Sequence, residues 1–511
     1  MGCERVMTNA DDSEAETGLD VNNAGSTSPG DSKNLPTTKL LRQCLIVLAA
    51  SFVYIPTGMI QMWNNVFATH TADSNNTISG HEITLVPWQK DLVASIAEMG
   101  GMAGYITAGY FVRLIGRKRS LILTALPAMV GSAVIVLAGN AYVIIAGRFL
   151  DGMSIGMAYV TVNTYVSEVS DTSVRGAFCM LSLMMMQLGS IFMVSVGSTL
   201  PWYYMSLVCL CLLFTHCLIV MTLHESPSYL ATTDREERAL QLLQRLRGPE
   251  SDVHKELDYL KTQNQKGSSD SFQGCGALFQ RRHLLTTCLL SGMFFINVFS
   301  GNLVLRVNAT RLLQDLGLPL EEKYTTIFLG LVLLGGNVIL TLVVDRLGRR
   351  RCLIASLSIV AASCASLGTF IYFTGKNSFV AEPEIVVLNF LSGVANTTAT
   401  QVEISSWHFL TAENLAPLIL LMGACLGQST GIGSIVWVLP SEMFPTSLRS
   451  QGTGICMMIG SLLGFSSLQL YSPMLATLSQ AGMYWLFSSV AFGGIFYVYF
   501  LLKETSKIKV G

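Results

Sequence analysis

Twelve runs of mostly apolar residues, each near bilayer-spanning length, exclude most folds open to this chain. About 20 such residues cross the hydrocarbon as a helix. The runs are Leu41–Trp63, Asp91–Val112, Ser120–Leu137, Tyr142–Tyr165, Ala177–Thr199, Tyr203–Leu223, Leu284–Leu305, Tyr324–Val344, Cys352–Phe373, Leu415–Leu439, Ser450–Tyr471 and Gly482–Leu502. Six fall on each side of a polar stretch from His224 to His283. Lipid offers no partner to a bare peptide group, so runs this long are helices. Composition agrees: 51% of residues are hydrophobic and 13% charged, against about 25% charged in soluble domains. A net charge of -1 gives nucleic acid no basic field to find. The expected class is an all-α membrane protein.

Two signals orient it. With the amino terminus inside, the inner loops hold Arg113, Arg117, Lys118, Arg119, Arg175, Arg346, Arg349, Arg350, Arg351 and Arg449, and few Lys or Arg remain outside, which is the positive-inside pattern. The sequons at Asn75, Asn308 and Asn396 then lie outside or at the outer edge as expected glycosylation sites. The expected organisation is an acidic, disordered cytosolic tail (1–38) with no signal peptide, and a six-helix bundle (39–223). A cytosolic loop with short helices (224–283), a second bundle (284–503) and a cytosolic tail (504–511) follow. None of the 12 Cys falls in a candidate outer loop, so no disulfide is expected.

The halves repeat each other. Val112-Arg113-Leu114-Ile115-Gly116-Arg117-Lys118-Arg119 follows the second span, and Val344-Asp345-Arg346-Leu347-Gly348-Arg349-Arg350-Arg351 the eighth. Ser167-Glu168 with Arg175 beyond span 4 recurs as Ser441-Glu442 with Arg449 beyond span 10. Duplicated halves around a midplane site suit alternating access. Charges at both inner mouths (Arg113, Arg117, Arg148, Glu168, Arg175, Asp345, Arg349, Glu442, Arg449) are the candidate gate network, pairing when the inner side closes and separating when it opens. Arg148, with Asp151, serves either that gate or helix packing.

These motifs, with Gly147-Arg148-Phe149-Leu150-Asp151-Gly152, Glu225-Ser226-Pro227-Ser228-Tyr229-Leu230 and Trp437 to Glu442, resemble the sugar porter family of the major facilitator superfamily. The likeness runs from about Leu41 to the end and is most like insect facilitated trehalose transporter-like members. It implies twelve helices in two pseudo-symmetric six-helix bundles, sugar carriage by facilitated diffusion or proton coupling, and short cytosolic helices bracing the inner gate. Asp234 is expected to cap the helix 235–247. The chain departs from the family where it has Arg113 in place of an acid, Leu183 and Leu333 at sugar-contacting amide positions, and Asn297-Val298-Phe299-Ser300-Gly301-Asn302-Leu303 in span 7. Gly433-Ser434-Ile435-Val436-Trp437 in span 10 has lost both prolines of the family pattern.

A sugar site needs groups that both donate and accept hydrogen bonds, and an aromatic face. At membrane depth the candidates are Thr57, Gln61, Asn64, Gln187, Asn297, Ser300, Asn302, Asn337 and Trp437; single polar residues there also simply join helices. Glu98 is a candidate proton or cation site, or else it reaches a water-filled vestibule or Lys90. Arg306, at the end of span 7, is expected to snorkel outward. Span 1 contains no acid, which argues against proton coupling. No catalytic triad, phosphate loop or metal-ligand cluster stands at working spacing, so neither enzyme activity, cofactor nor metal is expected. The expectation is a monomeric multi-pass carrier of trehalose or a hexose in the plasma membrane, both termini cytosolic, with the lipid bilayer and a small sugar as partners. The alternatives are a non-transporting solute sensor or receptor, or a carrier of a less polar or cationic solute.

Overall fold

The computed structural model describes residues 37–73, 83, 85–171, 174–197, 199–233, 236–247, 253–254, 257–258, 281–307, 322–374, 412–444 and 449–502. Its elements are helices: α1 (Thr37–Ser51), α2 (Tyr54–Asp73), α3 (Pro87–Leu114), α4 (Arg117–Val136), α5 (Ala141–Val169), α6 (Arg175–Gly197) and α7 (Trp202–Thr222) in the first half. Then come α8 (Pro227–Thr232) and α9 (Glu236–Arg247), followed by α10 (Arg281–Phe299), α11 (Asn302–Val307), α12 (Glu322–Leu347), α13 (Arg349–Phe373), α14 (Ala412–Ser429), α15 (Ile432–Met443), α16 (Arg449–Gln469) and α17 (Tyr471–Leu501). Asn75, Asn308, Asn396 and Asp234 lie outside the described residues.

Among the described residues, ten helical segments are long and apolar enough to cross a membrane. Spans 2 and 11, helices α3 and α16, fall below that hydropathy, and they pack on each other along the seam between the halves. Gly100, Gly104, Gly460 and Gly464 face protein, so lipid does not select against them.

Three spans are broken. Span 1 changes direction at Phe52-Val53, between α1 and α2. Span 7 breaks at Ser300-Gly301, where Gly301 has φ 91°, a conformation costly for a residue with a Cβ. A Cβ there would also meet Phe487 at 2.7 Å. Span 10 breaks at Thr430-Gly431. There the Ser356 hydroxyl of α13 donates to Gly427 O (2.7 Å) and accepts from Ile432 N (2.9 Å), satisfying both sides of the gap. Gln428 Nε2 donates to Ser300 O (3.0 Å), tying the two second-half breaks together. Span 12 was expected to begin near Gly482; its helix starts at Tyr471 and kinks at Ser479 (φ 61°).

Glycine sets the closest approach inside the first half. A Cβ on Gly100 or Gly104 would overlap the carbonyl oxygens of Phe149 or Met153 on α5, and one on Gly152 or Gly156 those of Ala97 or Gly101 on α3. The two backbones therefore touch, and only glycine permits it.

Candidate functional site

The end of the molecule that carries Arg117, Lys118 and Arg119 is the basic end. Here Gly116 (φ 92°) turns the chain into α4, and Gly348 (φ 84°) makes the same turn into α13. The Gly-Arg repeat read from the sequence is thus a repeated left-handed turn. In the first half three motifs meet on it. Glu225 Oε1 accepts Arg117 N (2.8 Å), Lys118 N (2.9 Å) and Ser226 N (3.1 Å), a carboxylate on the bare amides that open α4. Glu168 Oε1 takes both Nε (3.1 Å) and Nη2 (2.8 Å) of Arg117, whose guanidinium lies 5.6 Å from the Tyr229 ring centre. Tyr165 donates to His224 O (2.9 Å).

These contacts all lie within one half. Arg113 is exposed, and Arg175 and Arg349 are half-buried, the Arg175 Nε without a partner among the described residues. The side chains of Asp345, Glu442 and Arg449 lie outside the described residues. The short helix α9 meets the same end: Arg42 and Gln43 of α1 donate to its last carbonyls, Arg245 O and Leu246 O (3.1 Å each). Gln43 Oε1 also accepts Asp171 N (3.3 Å) from the α5–α6 turn. Leu230, Ala239, Leu243, Val253 and Leu257 give this loop a small core of its own.

Arg148 stands apart from that cluster. It is 2% exposed, donates to Ile60 O (2.9 Å), lies 5.2 Å from the centre of the Trp63 ring and holds Asp151 at 3.8 Å. Trp63 in turn donates to Ser206 Oγ (2.9 Å). Helices α2, α5 and α7 meet around this pair.

At the seam, Tyr159 of α5 stacks on Trp437 of α15 (centroids 5.5 Å, planes 15° apart), and Phe294 stands edge-on to the same indole (5.1 Å). Asn302 Nδ2 bonds Asn297 Oδ1 (2.8 Å) across the span-7 break, and Ser300 Oγ donates to Asn297 O (3.1 Å). Ser434 Oγ donates to Asn337 Oδ1 (2.7 Å), and Thr57 donates to Val53 O (2.8 Å). Asn297, Ser300 and Asn302 therefore bond at the span-7 break, while Asn337 joins α12 to α15. Gln187 is buried; Gln61 is half-buried with Oε1 unpartnered among the described residues.

Away from the basic end, the halves are joined by Asn64 Nδ2 to Val307 O (3.2 Å), Asn65 Nδ2 to Arg306 O (3.0 Å) and Ser95 Oγ to Gln469 Oε1 (3.0 Å). Arg306 does not snorkel: its Nε and Nη2 are buried without a hydrogen-bond partner among the described residues. The break at Gly301 re-aims α11, whose Leu303 lies with the Glu98 carboxylate of the other half against Gly464 of α16. Glu98 points across the seam, its carboxylate against Ser461 and Gly464 of α16, rather than back toward Lys90.

Sequence reasoning missed Tyr159, Gln428, Asn65 and Ser434. Gln428 had a readable signal, a lone amide directly before Ser-Thr-Gly in a glycine-rich span. Tyr159 had none, because its partner lies in the other half.

Comparison with known proteins fits this architecture. A model of the family described as "Sugar (and other) transporter" matches residues 50–510. The chain is 25% identical over 92% of its length, and 87% of the relative's, to the facilitated trehalose transporter Tret1 of Polypedilum vanderplanki. It is 26% identical over 91% of its length, and 88% of the relative's, to a Tret1-2 homolog of Drosophila sechellia. Among solved structures it resembles the major facilitator proton:xylose symporter XylE bound to 6-bromo-6-deoxy-D-glucose (TM-score 0.69, 17% identity, 92% of this chain and 97% of that one). A partially occluded inward-open XylE from E. coli superposes as well (TM-score 0.69, 17% identity, 91% and 98%). The twelve-span helical architecture is that of the major facilitator fold, and the chain belongs to the sugar (and other) transporter family.

Proposed function

We propose that this multi-pass carrier moves trehalose or a hexose across the plasma membrane by facilitated diffusion, the two halves rocking about the seam, with both termini and the basic end cytosolic. The observation that carries the reading is the set of contacts between the halves. Among the described residues, hydrogen bonds at Asn64, Asn65 and Ser95 join the halves away from the basic end. Those contacts suit a state closed on the outside. A handful of neutral hydrogen bonds, each worth about 1 kcal/mol net, is weak enough to exchange for an alternative set on the other side.

The substrate class rests on the relatives, which are named for trehalose, and on the Tyr159–Trp437 stack, whose ring faces suit the C–H side of a pyranose. The absence of any carboxylate in span 1 before Asp73 supports facilitated diffusion over proton coupling. Uptake of labelled trehalose and glucose into liposomes bearing the purified protein tests the reading. Saturable flux of either sugar, unchanged by an imposed pH gradient, is expected. Flux that collapses without the gradient would overturn facilitated diffusion, and no flux of either sugar would overturn the substrate class.

A further inference from the structure

Glu98 and Arg306 are a problem that helix packing does not solve. Each is half-buried at membrane depth, one in each half of the protein, and an ionisable group there is costly unless it has work to do. A Cβ on Gly464 of α16 would meet both Glu98 Oε2 (3.3 Å) and Leu303 (3.0 Å), which lies three residues before Arg306 on α11, yet among the described residues no ion pair joins the two charges. Opposite charges left unpaired at membrane depth are costly unless something else partners them. Arg306 presents Nε and Nη2 with no acceptor, and Gln61 Oε1 nearby on α2 has no donor. Both sit at Tyr159, whose ring is stacked on Trp437.

A guanidinium only donates and a carboxylate only accepts, whereas an alcohol does both. Hydroxyls can therefore bridge a gap between the two that neither side chain fills. The charges also cancel. An acidic solute would add a second negative charge beside Glu98, and a cation a second positive charge beside Arg306, so the pair favours a neutral guest.

We propose that Arg306 and Glu98, one from each half, form a hydroxyl-binding pair for a neutral polyhydroxylated solute, taking over from the amides absent at Leu183 and Leu333. This deepens the sugar-carrier reading and rests on it. Because the two groups belong to opposite halves, a bridging solute links the halves directly and is released when they part.

The test is a cycle of substrate and side-chain deletions in proteoliposomes. Initial uptake of D-glucose and of its mono-deoxy analogues is measured for the wild type, Arg306→Gln, Arg306→Lys and Glu98→Gln, each corrected for the amount of folded protein. A hydrogen bond to a charged group is worth about tenfold or more in affinity. Arg306→Gln and Glu98→Gln are therefore expected to raise the KM for glucose about tenfold or more, while Arg306→Lys retains part of the affinity. At least one deoxy analogue is expected to lose about tenfold against glucose in the wild type and nothing further in Arg306→Gln, a loss of discrimination that a merely structural defect would not produce. If the wild type carries glucose and the substitutions leave KM and the deoxy pattern unchanged, the pair is not the site, although the carrier reading stands. If the wild type carries glucuronate and no neutral sugar, the neutral-guest inference and the sugar reading both fall.

Discussion

Replacing Gln428 with Leu isolates what the helix breaks require. The Gln428 amide donates to Ser300 O at 3.0 Å, and both residues are buried. Ser300 O needs that donor because Gly301, at φ 91°, turns the following chain away; the next helical bond runs from Leu305 N to Gly301 O (2.9 Å) instead. Leu nearly matches Gln in volume, so little cavity term enters. What remains is a buried carbonyl without a donor, costing about 1–3 kcal/mol, or roughly a 5- to 150-fold change in an equilibrium. The assay is thermal unfolding of the purified protein in detergent alongside initial transport rates. Gln241→Leu on the exposed face of α9 serves as the control, expected to stay within about 0.5 kcal/mol of wild type. Gln428→Leu is expected to melt clearly below that control and to lower the maximal rate more than it raises KM, since Gln428 joins two moving breaks. A variant that melts and transports like wild type would refute the argument that this bond holds spans 7 and 10 together.

Three further outcomes follow from the geometry. Gly301→Ala is expected to abolish folded, transport-competent protein, because the backbone strain of about 1–2 kcal/mol adds to an overlap with Phe487; surface expression and uptake check it. Cysteines at Asn64 and Val307, joined by a short cross-linker, are expected to stop transport until the link is cleaved, whereas a cross-linked carrier that still runs would contradict closure at that end. Glu168→Gln is expected to cost only about 0.2–1 kcal/mol, since the Arg117 pair is partly exposed. It should shift the balance of inward and outward states, read by site-directed cysteine labelling, without unfolding the protein.

The fold was legible because a bilayer forces helices of fixed length, and hydropathy alone marks most of them. Spans 2 and 11 were found from length although they fall short in hydropathy, and the structure explains the shortfall: α3 and α16 pack on each other along one face, where small and polar residues are admitted, and keep Ile106, Tyr110, Ile455 and Leu462 exposed on another. Gly116 and Gly348 were legible as a repeat, and their shared left-handed turn gives the physical reason. The site is less legible, because a polar residue in a membrane helix carries the same sequence signal whether it binds solute or mends a broken helix. Asn297, Ser300 and Asn302 proved to bond one another across the span-7 break. Arg306 was misread because a charge near a span end ordinarily reaches for the headgroups, and the turn at Gly301, which re-aims α11, shows only in three dimensions. Tyr159 needed its partner from the other half before it meant anything.

Alternating access by a sugar carrier is tested most directly by counterflow. Liposomes bearing the protein are loaded with unlabelled trehalose or glucose, diluted into a trace of the labelled sugar, and followed with no pH gradient. The account predicts that label accumulates transiently above its external concentration, because a carrier whose seam is occupied on each passage exchanges faster than it returns empty. Label that only equilibrates, at a rate indifferent to internal sugar, would contradict it.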